Sequence, residues 1–400
     1  MKNRFISATA VVATGALALA GFTALPAGAA RVAPQAIPTY TIGYEGPLSG
    51  GNAQLGLNMV YAVHLAIQQW NAKKGTHFKL KFATYNDQGD PTISPTEAHL
   101  AVSNKNLVAI VGPAFSGATK AAQAIYGPAH MPLVSPSATN PLLITPKEDP
   151  DHNFFRVVAD DIVQGQTDGR YIVHNLHDAN VYVVNDASTY GSGLAAQVVV
   201  GAKADHATVN TQTVDGTTQC QAGSGDASEY GAAATSIINK HPKMVFYGGY
   251  YCDFSLLTAA LRGAGYHGGL MSGDGSDDPH YVTGTTPRSD ANGAYLTCAC
   301  QVLGHTAADN AFTAGFKKLS HNTPPGTYSP ESYDATNTII AAMQRVSGTI
   351  TRAKIVAALR SVTWHGLTKT IHFLASGNVA GTTVFVSQVR AGKIVQIGVE

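Results

Sequence analysis

The chain has 400 residues, more than one hydrophobic core usually serves, so we expect two compact lobes. Its 26 Lys and Arg residues nearly balance its 25 Asp and Glu residues, giving a formal net charge of +1. This balance argues against nucleic acid as a partner and against a polybasic surface on the protein that would bind a membrane.

The N-terminal segment differs from the rest of the chain. Two basic residues precede an uncharged stretch at residues 5–25, and small residues follow it. This order predicts a secretory signal peptide at residues 1–30, cleaved near Ala29 or Ala30. The alternative is a membrane anchor, but the Ala, Thr and Gly content makes the stretch weakly apolar. We therefore expect an exported protein, periplasmic or extracellular. Because the first cysteine is Cys220, we expect no lipid anchor on a processed N-terminal cysteine.

After the signal, apolar runs of strand length alternate with amphipathic runs of helix length, a pattern that predicts parallel strands crossed by helices. From Ala53 to Lys74 apolar residues recur at helical spacing and Gly75 ends the run, as expected for a helix with one buried face. The elements predicted for the first lobe are strand 39–44, helix 53–74, strand 79–85, helix 94–105, strand 107–111, helix 118–129 and strand 133–135.

A second alternating series begins after Arg156 and predicts a second parallel sheet. Its elements are helix 162–177, strand 180–184, helix 193–204, strand 207–214, helix 227–240, strand 244–247, helix 254–265 and strand 270–272. The chain then continues with strand 294–298, helices 307–319, 330–346 and 351–362, and antiparallel strands 383–390 and 393–399. Because helices return after the second series, we expect the chain to cross between the lobes more than once.

All four cysteines fall in one middle stretch, and an exported chain meets conditions that oxidise thiols, so we expect two disulfides among Cys220, Cys252, Cys298 and Cys300. Cys298 and Cys300 flank a single residue, which makes a bond between them the least comfortable pairing. We therefore favour a partner elsewhere for each. A Cys-x-Cys metal site is the alternative, but the spacing supplies no further ligands, and no metal is predicted.

Catalytic motifs are missing from the sequence. The string Tyr190-Gly191-Ser192-Gly193 lacks the spacing of a nucleophile elbow, and no phosphate-binding fingerprint follows a strand. The acidic loop at residues 274–278 lacks the glutamate and spacing of a calcium loop. We therefore predict neither catalytic residues nor a cofactor.

Two loops are candidates for ligand binding, since ligands of open parallel sheets bind beyond the carboxyl ends of the strands. Loop 112–119 joins a strand to a helix, and its backbone amides and the Ser116 hydroxyl suit a carboxylate. The alternative is that Ser116 only caps the helix. Loop 135–141 follows the next strand and offers the Thr139 hydroxyl and free carbonyls.

Short motifs in a specific order accompany these loops. They are Gly46-Pro47-Leu48-Ser49-Gly50, Asn86-Asp87 with Asp90-Pro91, Ser135-Pro136 with Ala138-Thr139-Asn140-Pro141, Arg156 with Asp161 and Gln164-Gly165, Tyr190-Gly191 with Gly193, and Tyr247-Gly248-Gly249-Tyr250-Tyr251. In this order the chain resembles the leucine/isoleucine/valine-binding family, the type I periplasmic binding proteins that serve ABC transporters. The resemblance covers nearly all of the mature chain.

The resemblance implies an α/β fold of two lobes, each a parallel-rich sheet flanked by helices, joined by several hinge crossovers. We expect residues 39–158 with about 301–366 in the N-terminal lobe, and 159–300 with about 367–400 in the C-terminal lobe. By position, Ser116 and Thr139 would hold a substrate carboxylate, while the Ser137 carbonyl and Asp274 would take its ammonium. The remaining positions expected at the ligand are Ala138, Tyr190, Tyr250, Leu55, Phe115 and Tyr328.

This sequence departs from the family at two places. Family members often carry a disulfide near the first ligand loop, where Gly89 and Phe115 stand here, so we expect Phe115 to reshape the pocket. The acidic residue is often a glutamate, whereas Asp274 is shorter by one methylene, so the ligand would sit deeper or a water would intervene.

The function implied is that of a secreted, monomeric substrate-binding protein that delivers an amino acid, with branched-chain or aliphatic side chains favoured, to an ABC transporter permease. Binding would close the hinge between the lobes. The alternative is an amide, urea, an aromatic acid or a short peptide bound by the same fold. Asp274 favours an amino acid, because a ligand with only a carboxylate would have no use for it.

Overall fold

The computed structural model describes residue 10 and residues 37–215, 227–304, 306–381 and 383–400. Apart from residue 10, the predicted signal peptide lies outside the described residues, as does Cys220. Residues Pro38–Glu400 form one compact unit. Within the described ranges, no helix combines the length and apolar character needed to span a bilayer.

Strands and helices alternate along the chain. The first group comprises β1 Thr39–Gly46, α1 Ala53–Ala72, β2 Lys79–Asn86, α2 Ser94–Ser103, β3 Leu107–Val111, α3 Ser116–Tyr126, β4 Leu133–Ser135 and β5 Phe154–Arg156. The second comprises α4 Asp161–His174, β6 Asn180–Asn185, α5 Thr189–Ala204, β7 Thr208–Thr213, α6 Ala227–Ile238, β8 Met244–Gly248, α7 Tyr251–Gly263, β9 Gly269–Ser272, α8 Pro279–Gly284 and β10 Tyr295–Cys298. The third comprises α9 Ala307–Leu319, α10 Ser329–Arg345, α11 Arg352–Leu359, β11 Thr363–His365, β12 Thr370–His372, β13 Phe385–Arg390 and β14 Lys393–Val399.

Two main sheets organise these elements into two lobes. The first lobe is built on a five-stranded sheet in the order β2-β1-β3-β4-β5, and all its neighbouring strands are parallel. The second is built on a seven-stranded sheet in the order β14-β13-β10-β9-β8-β6-β7. Its neighbouring strands are parallel except that β13 runs antiparallel to both β10 and β14, and the β13–β14 pairing confirms the antiparallel pair predicted near the C-terminus.

Apolar strands covered on both faces form the core of the first lobe. Every residue of β3 is buried, as expected for a parallel strand between two helix layers. Helix α1 buries Met59, Val63 and Ile67, and it packs against α10. Burying each such side chain contributes about 1.5–3 kcal/mol. The same sheet holds the ends of β1, β3 and β4 in place, and these ends carry the candidate ligand loops.

The chain passes between the two sheets more than once, as predicted. It leaves the first sheet after β5 and returns to the first lobe after β10. The return is shown by the contacts of α9 and α10 with α1 and by the contact of α11 with β3. It then re-enters the second sheet at β13, which pairs with β10. Arg156 joins the first and last of these crossings, since its backbone N–H donates to the Gly377 carbonyl (3.1 Å) and its Nε to Asn378 Oδ1 (2.6 Å).

Helix boundaries differ from the predicted ones where a cap or a turn is involved. Helix α5 begins at Thr189 instead of Gly193, because the Ser188 hydroxyl accepts the Gly191 N–H (2.8 Å) and caps the helix four residues earlier. Strand β5, of three residues, was not predicted.

The expectation that Cys298 and Cys300 each bond elsewhere is wrong, because they form a disulfide with each other. The chain turns immediately after β10 and brings the two Cα atoms to 5.0 Å, within the range that a disulfide spans. Cys252 is also disulfide-bonded. Since both Cys298 and Cys300 sulfurs are joined, neither is free as the thiolate that a Cys-x-Cys metal site would need.

Candidate functional site

A small cavity lies between the two lobes, at the carboxyl ends of their parallel strands. Its volume is about 10 Å³, which is room for about one water molecule. Its walls are formed by Leu55, Phe115, Ser116, Ser137, Tyr190, Tyr250, Asp274, Gly275 and Tyr328. All but Gly275 were predicted at the ligand from sequence. The other two predicted residues, Ala138 and Thr139, are buried in the loop that carries Ser137.

Ser116 is the first residue of α3 and faces the cavity from the first lobe. The N-cap is Phe115, and no side chain caps this helix, so Ser116 does not serve as the cap. Its Oγ accepts the backbone N–H of Asn140 (3.2 Å), which leaves the hydroxyl hydrogen to donate. A hydroxyl donor beside the N-terminus of a helix suits a carboxylate.

The loop after β4 supplies carbonyl groups. Ser137 Oγ donates to the Ala114 carbonyl (2.7 Å), which holds the loop against the neighbouring strand end. The Ala138 carbonyl accepts from the Arg156 guanidinium (3.2 Å) and is therefore already engaged. Among the described residues no donor is bonded to the Ser137 carbonyl, so of these two carbonyls it is the one available to a ligand.

Thr139 and Asp161 place buried polar groups close to this loop. Thr139 is fully buried, and the Asp161 backbone N–H donates to its carbonyl (3.0 Å). Burial raises the pKa of the Asp161 carboxyl well above its ordinary value, while a hydrogen bond from the Thr139 side chain acts in the opposite direction. The Thr139 hydroxyl is therefore directed towards the Asp161 carboxylate.

Asp274 faces the cavity from the second lobe, in the single turn that follows β9. The Tyr190 hydroxyl donates to its Oδ1 (2.7 Å), and the Tyr328 hydroxyl donates to its Oδ2. Burial raises the pKa of the Asp274 carboxyl, while these two hydroxyls act in the opposite direction. The carboxylate is thus held in one orientation, and each of its oxygens keeps acceptor capacity for a cation.

Aromatic rings close the cavity from both lobes. Phe115 of the first lobe stacks on Tyr250 of the second, with ring centroids 4.3 Å apart and an angle of 23°. Tyr250 also contacts Tyr190, at 5.2 Å. Tyr328 has a left-handed backbone (φ 66°), which is strained for a side chain of this size and places its hydroxyl on Asp274.

Behind Asp274 lies a buried set of polar groups to which sequence reasoning gave no role. Gln164 Nε2 donates to the Thr297 carbonyl (3.2 Å), and Thr297 Oγ1 donates to Asp168 Oδ2 (3.0 Å). Burial raises the pKa of the Asp168 carboxyl well above its ordinary value. Gln164 belongs to a motif noticed in the sequence, and its place in this network depends on how α4 packs on β10.

Comparison with known proteins identifies the family of the chain. The sequence profile of the family described as "Periplasmic binding protein" matches residues 39–393. The leucine-, isoleucine-, valine-, threonine- and alanine-binding protein of Pseudomonas aeruginosa is 25% identical over 365 residues, covering 91% of each chain.

Solved structures share the fold. A leucine binding protein from Thermotoga maritima has a TM-score of 0.78 at 21% identity and covers 90% of this chain and 98% of its own. A solute binding protein from Rhodopseudomonas palustris in complex with benzoate has a TM-score of 0.75 at 17% identity, covering 90% and 96%. The chain belongs to the periplasmic binding protein family.

Proposed function

We propose that this protein binds a free α-amino acid between its lobes, with aliphatic and branched-chain side chains favoured. The observation that carries the proposal is the pairing of opposite recognition groups across one cavity. The Ser116 hydroxyl at the start of α3 faces it from the first lobe, and the Asp274 carboxylate faces it from the second.

Electrostatics favour a zwitterion as the ligand. Burying an unpaired carboxylate or ammonium is costly, so a closed site must supply a partner for each charge. Ser116 and the amides of α3 would take the carboxylate. The Thr139 hydroxyl would assist Ser116 at the carboxylate. Asp274 and the Ser137 carbonyl would take the ammonium.

Relatives support the ligand class but do not exclude the alternative. The Pseudomonas relative is named for five amino acids, whereas the benzoate complex belongs to a structure with the same fold. An amide, urea, an aromatic acid or a short peptide is therefore the second candidate class. A lone carboxylate would have no use for the oriented Asp274, and an amide or urea could donate to it but would leave its buried charge without a counter-charge.

We further infer that residues 39–158 with about 301–366 move as one lobe, and residues 159–300 with about 367–400 as the other. Ligand contacts from both lobes exist together only in the closed form, so binding shifts the population towards that form. An exported, monomeric protein would present the closed form to the permease of an ABC transporter.

The test is calorimetric titration of the protein, after removal of any carried-over solute, with the standard amino acids and with urea, acetamide, benzoate and dipeptides. The proposal expects saturable one-to-one binding of at least one aliphatic amino acid. Binding of benzoate or an amide in the absence of any amino-acid binding would establish the second class instead.

A further inference from the structure

We propose that Phe115, seated on Gly89, is the residue that limits the size of the ligand side chain, so that the site accepts small aliphatic amino acids and rejects aromatic ones. This inference rests on the proposed function. It concerns Gly89 and Phe115, which form one of the two places at which the sequence departs from the family that it resembles.

The Phe115 ring occupies space that only glycine at position 89 leaves open. A Cβ placed on Gly89 would lie 2.6 Å from Cδ2 and 2.8 Å from Cε2 of Phe115, closer than carbon atoms approach. Gly89 also has a φ of +74°, which disfavours any side chain there. The ring therefore rests directly on the backbone of the loop after β2 and cannot retreat further into the first lobe.

The opposite side of the ring is fixed by the second lobe. Phe115 stacks on Tyr250 at 4.3 Å, and Tyr250 contacts Tyr190, whose hydroxyl holds Asp274. Phe115, Tyr250 and Tyr190 thus form a continuous series of contacts from Gly89 to the Asp274 carboxylate. Because interiors are close-packed and the ring is confined on both sides, it acts as a rigid wall.

Little space remains beside this wall when the lobes are closed. The cavity that Phe115, Leu55 and Tyr328 enclose measures about 10 Å³. Any amino acid must separate the rings to enter, and the separation grows with the size of its side chain, so an aromatic side chain would oppose closure more than a small aliphatic one. Removing the Phe115 ring would open apolar space at the same place.

The experiment measures dissociation constants of valine and phenylalanine by calorimetry for the wild-type protein and for Phe115→Ala and Phe115→Leu. Wild-type protein should bind valine at least about tenfold more tightly than phenylalanine, a discrimination that apolar pockets reach. Phe115→Ala should reduce this ratio at least about tenfold, and Phe115→Leu should reduce it less. Phe82→Ala is the matched control, since Phe82 lies on β2 against His64 and should leave the ratio unchanged.

A double-mutant cycle tests the contact itself. Gly89→Ala should push the Phe115 ring into the cleft. It should therefore weaken the binding of both valine and phenylalanine at least about tenfold. Adding Phe115→Ala should restore part of that loss, because the positive-φ strain is common to both variants and only the clash is removed. Thermal unfolding verifies that each variant is folded. If Gly89→Ala does not fold, the valine-to-phenylalanine ratios of the Phe115 variants alone test whether Phe115 limits the size of the ligand side chain.

A valine-to-phenylalanine ratio that stays the same in Phe115→Ala would overturn the assignment while leaving amino-acid binding intact. Wild-type protein that binds neither these nor any other amino acid would instead overturn the proposed function. The two failures are therefore distinguishable.

Discussion

Asp274 is the residue on which recognition of an ammonium depends. Replacing it with asparagine keeps its shape but removes the buried charge, so we expect the affinity for the amino acid to fall by about 2–5 kcal/mol. Asp151→Asn removes an exposed carboxylate elsewhere in the first lobe and should leave the affinity unchanged. Calorimetry on both variants provides the measurement, and equal affinities for the two would show that Asp274 does not pair with the ligand.

The same carboxylate predicts a pH dependence of binding. Burial raises the pKa of Asp274 above its ordinary value of 3.8, so it gains a proton at higher pH than an exposed aspartate. Only the ionised form attracts an ammonium, and affinity should therefore fall as the pH is lowered through this raised pKa. In Asp274→Asn this component should vanish; a variant with the pH profile of the wild type would contradict the assignment.

The convergence of parallel strand ends pointed to the loops that carry Ser116 and Thr139, and the resemblance to the family supplied the other residues of the cavity. Sequence reasoning overlooked Gly275, whose contribution is a backbone N–H bonded to the Tyr190 hydroxyl (2.9 Å). It also gave Gln164 no role in the network behind Asp274. These roles depend on hydrogen-bond direction and helix packing, which neither periodicity nor spacing specifies.

At the scale of elements, Arg156 ties the ligand loop to two of the crossings between the lobes. Its side chain is fully buried, and Nη1 donates to the carbonyls of Ala138 (3.2 Å) and Asn140 (2.9 Å). Burial lowers its pKa to about 10, against the attraction of Asp160 and Asp161, so it remains charged at neutral pH. One guanidinium thus fixes the loop after β4 relative to the hinge.

Arg156→Met should lower the free energy of unfolding by about 3–5 kcal/mol, because it leaves the buried Ala138 and Asn140 carbonyls without their donor and removes the positive charge beside Asp160. Arg345→Met changes an exposed arginine at the end of α10 and should have an effect within about 0.5 kcal/mol. Urea denaturation of both variants measures the difference. Similar losses in the two variants would mean that the Arg156 contacts contribute little.

The order of the elements was predictable because the strands of both sheets are apolar runs separated by amphipathic helices. The pairing of Cys298 with Cys300 was not, because it depends on the turn that follows β10. The early start of α5 was recognisable in principle, since Ser188 is a common N-cap residue. The pattern of apolar residues alone placed the start one turn too late.

At the scale of the whole molecule, polar contacts hold the lobes together in the closed form. Tyr251 donates to the Gly51 carbonyl (2.8 Å), Asn58 Nδ2 to Asp278 Oδ2 (3.3 Å), and Asn140 Nδ2 to the Thr189 carbonyl (2.6 Å). We expect the radius of gyration in small-angle X-ray scattering to decrease on saturation with ligand. An unchanged radius would argue against hinge closure.

Buried acids in the first lobe predict how stability depends on pH. Burial raises the pKa of Glu45 to about 8 and that of Asp87 to about 7, above the values of 4.5 and 3.8 expected in the unfolded chain. The folded state therefore binds more protons, and its stability should decrease as the pH rises from about 5 to 8. Denaturation of Glu45→Gln across this range should show a smaller decrease, and a slope equal to that of the wild type would contradict the assignment.

The central claim is that one lobe binds a carboxylate and the other an ammonium of the same small molecule. Calorimetric titration with valine, with isobutylamine, which lacks its carboxylate, and with 3-methylbutanoate, which lacks its ammonium, tests this claim most directly. We predict that each analogue binds at least about a hundredfold more weakly than valine, because one buried partner is left unpaired. Binding of 3-methylbutanoate as tight as that of valine would contradict the account.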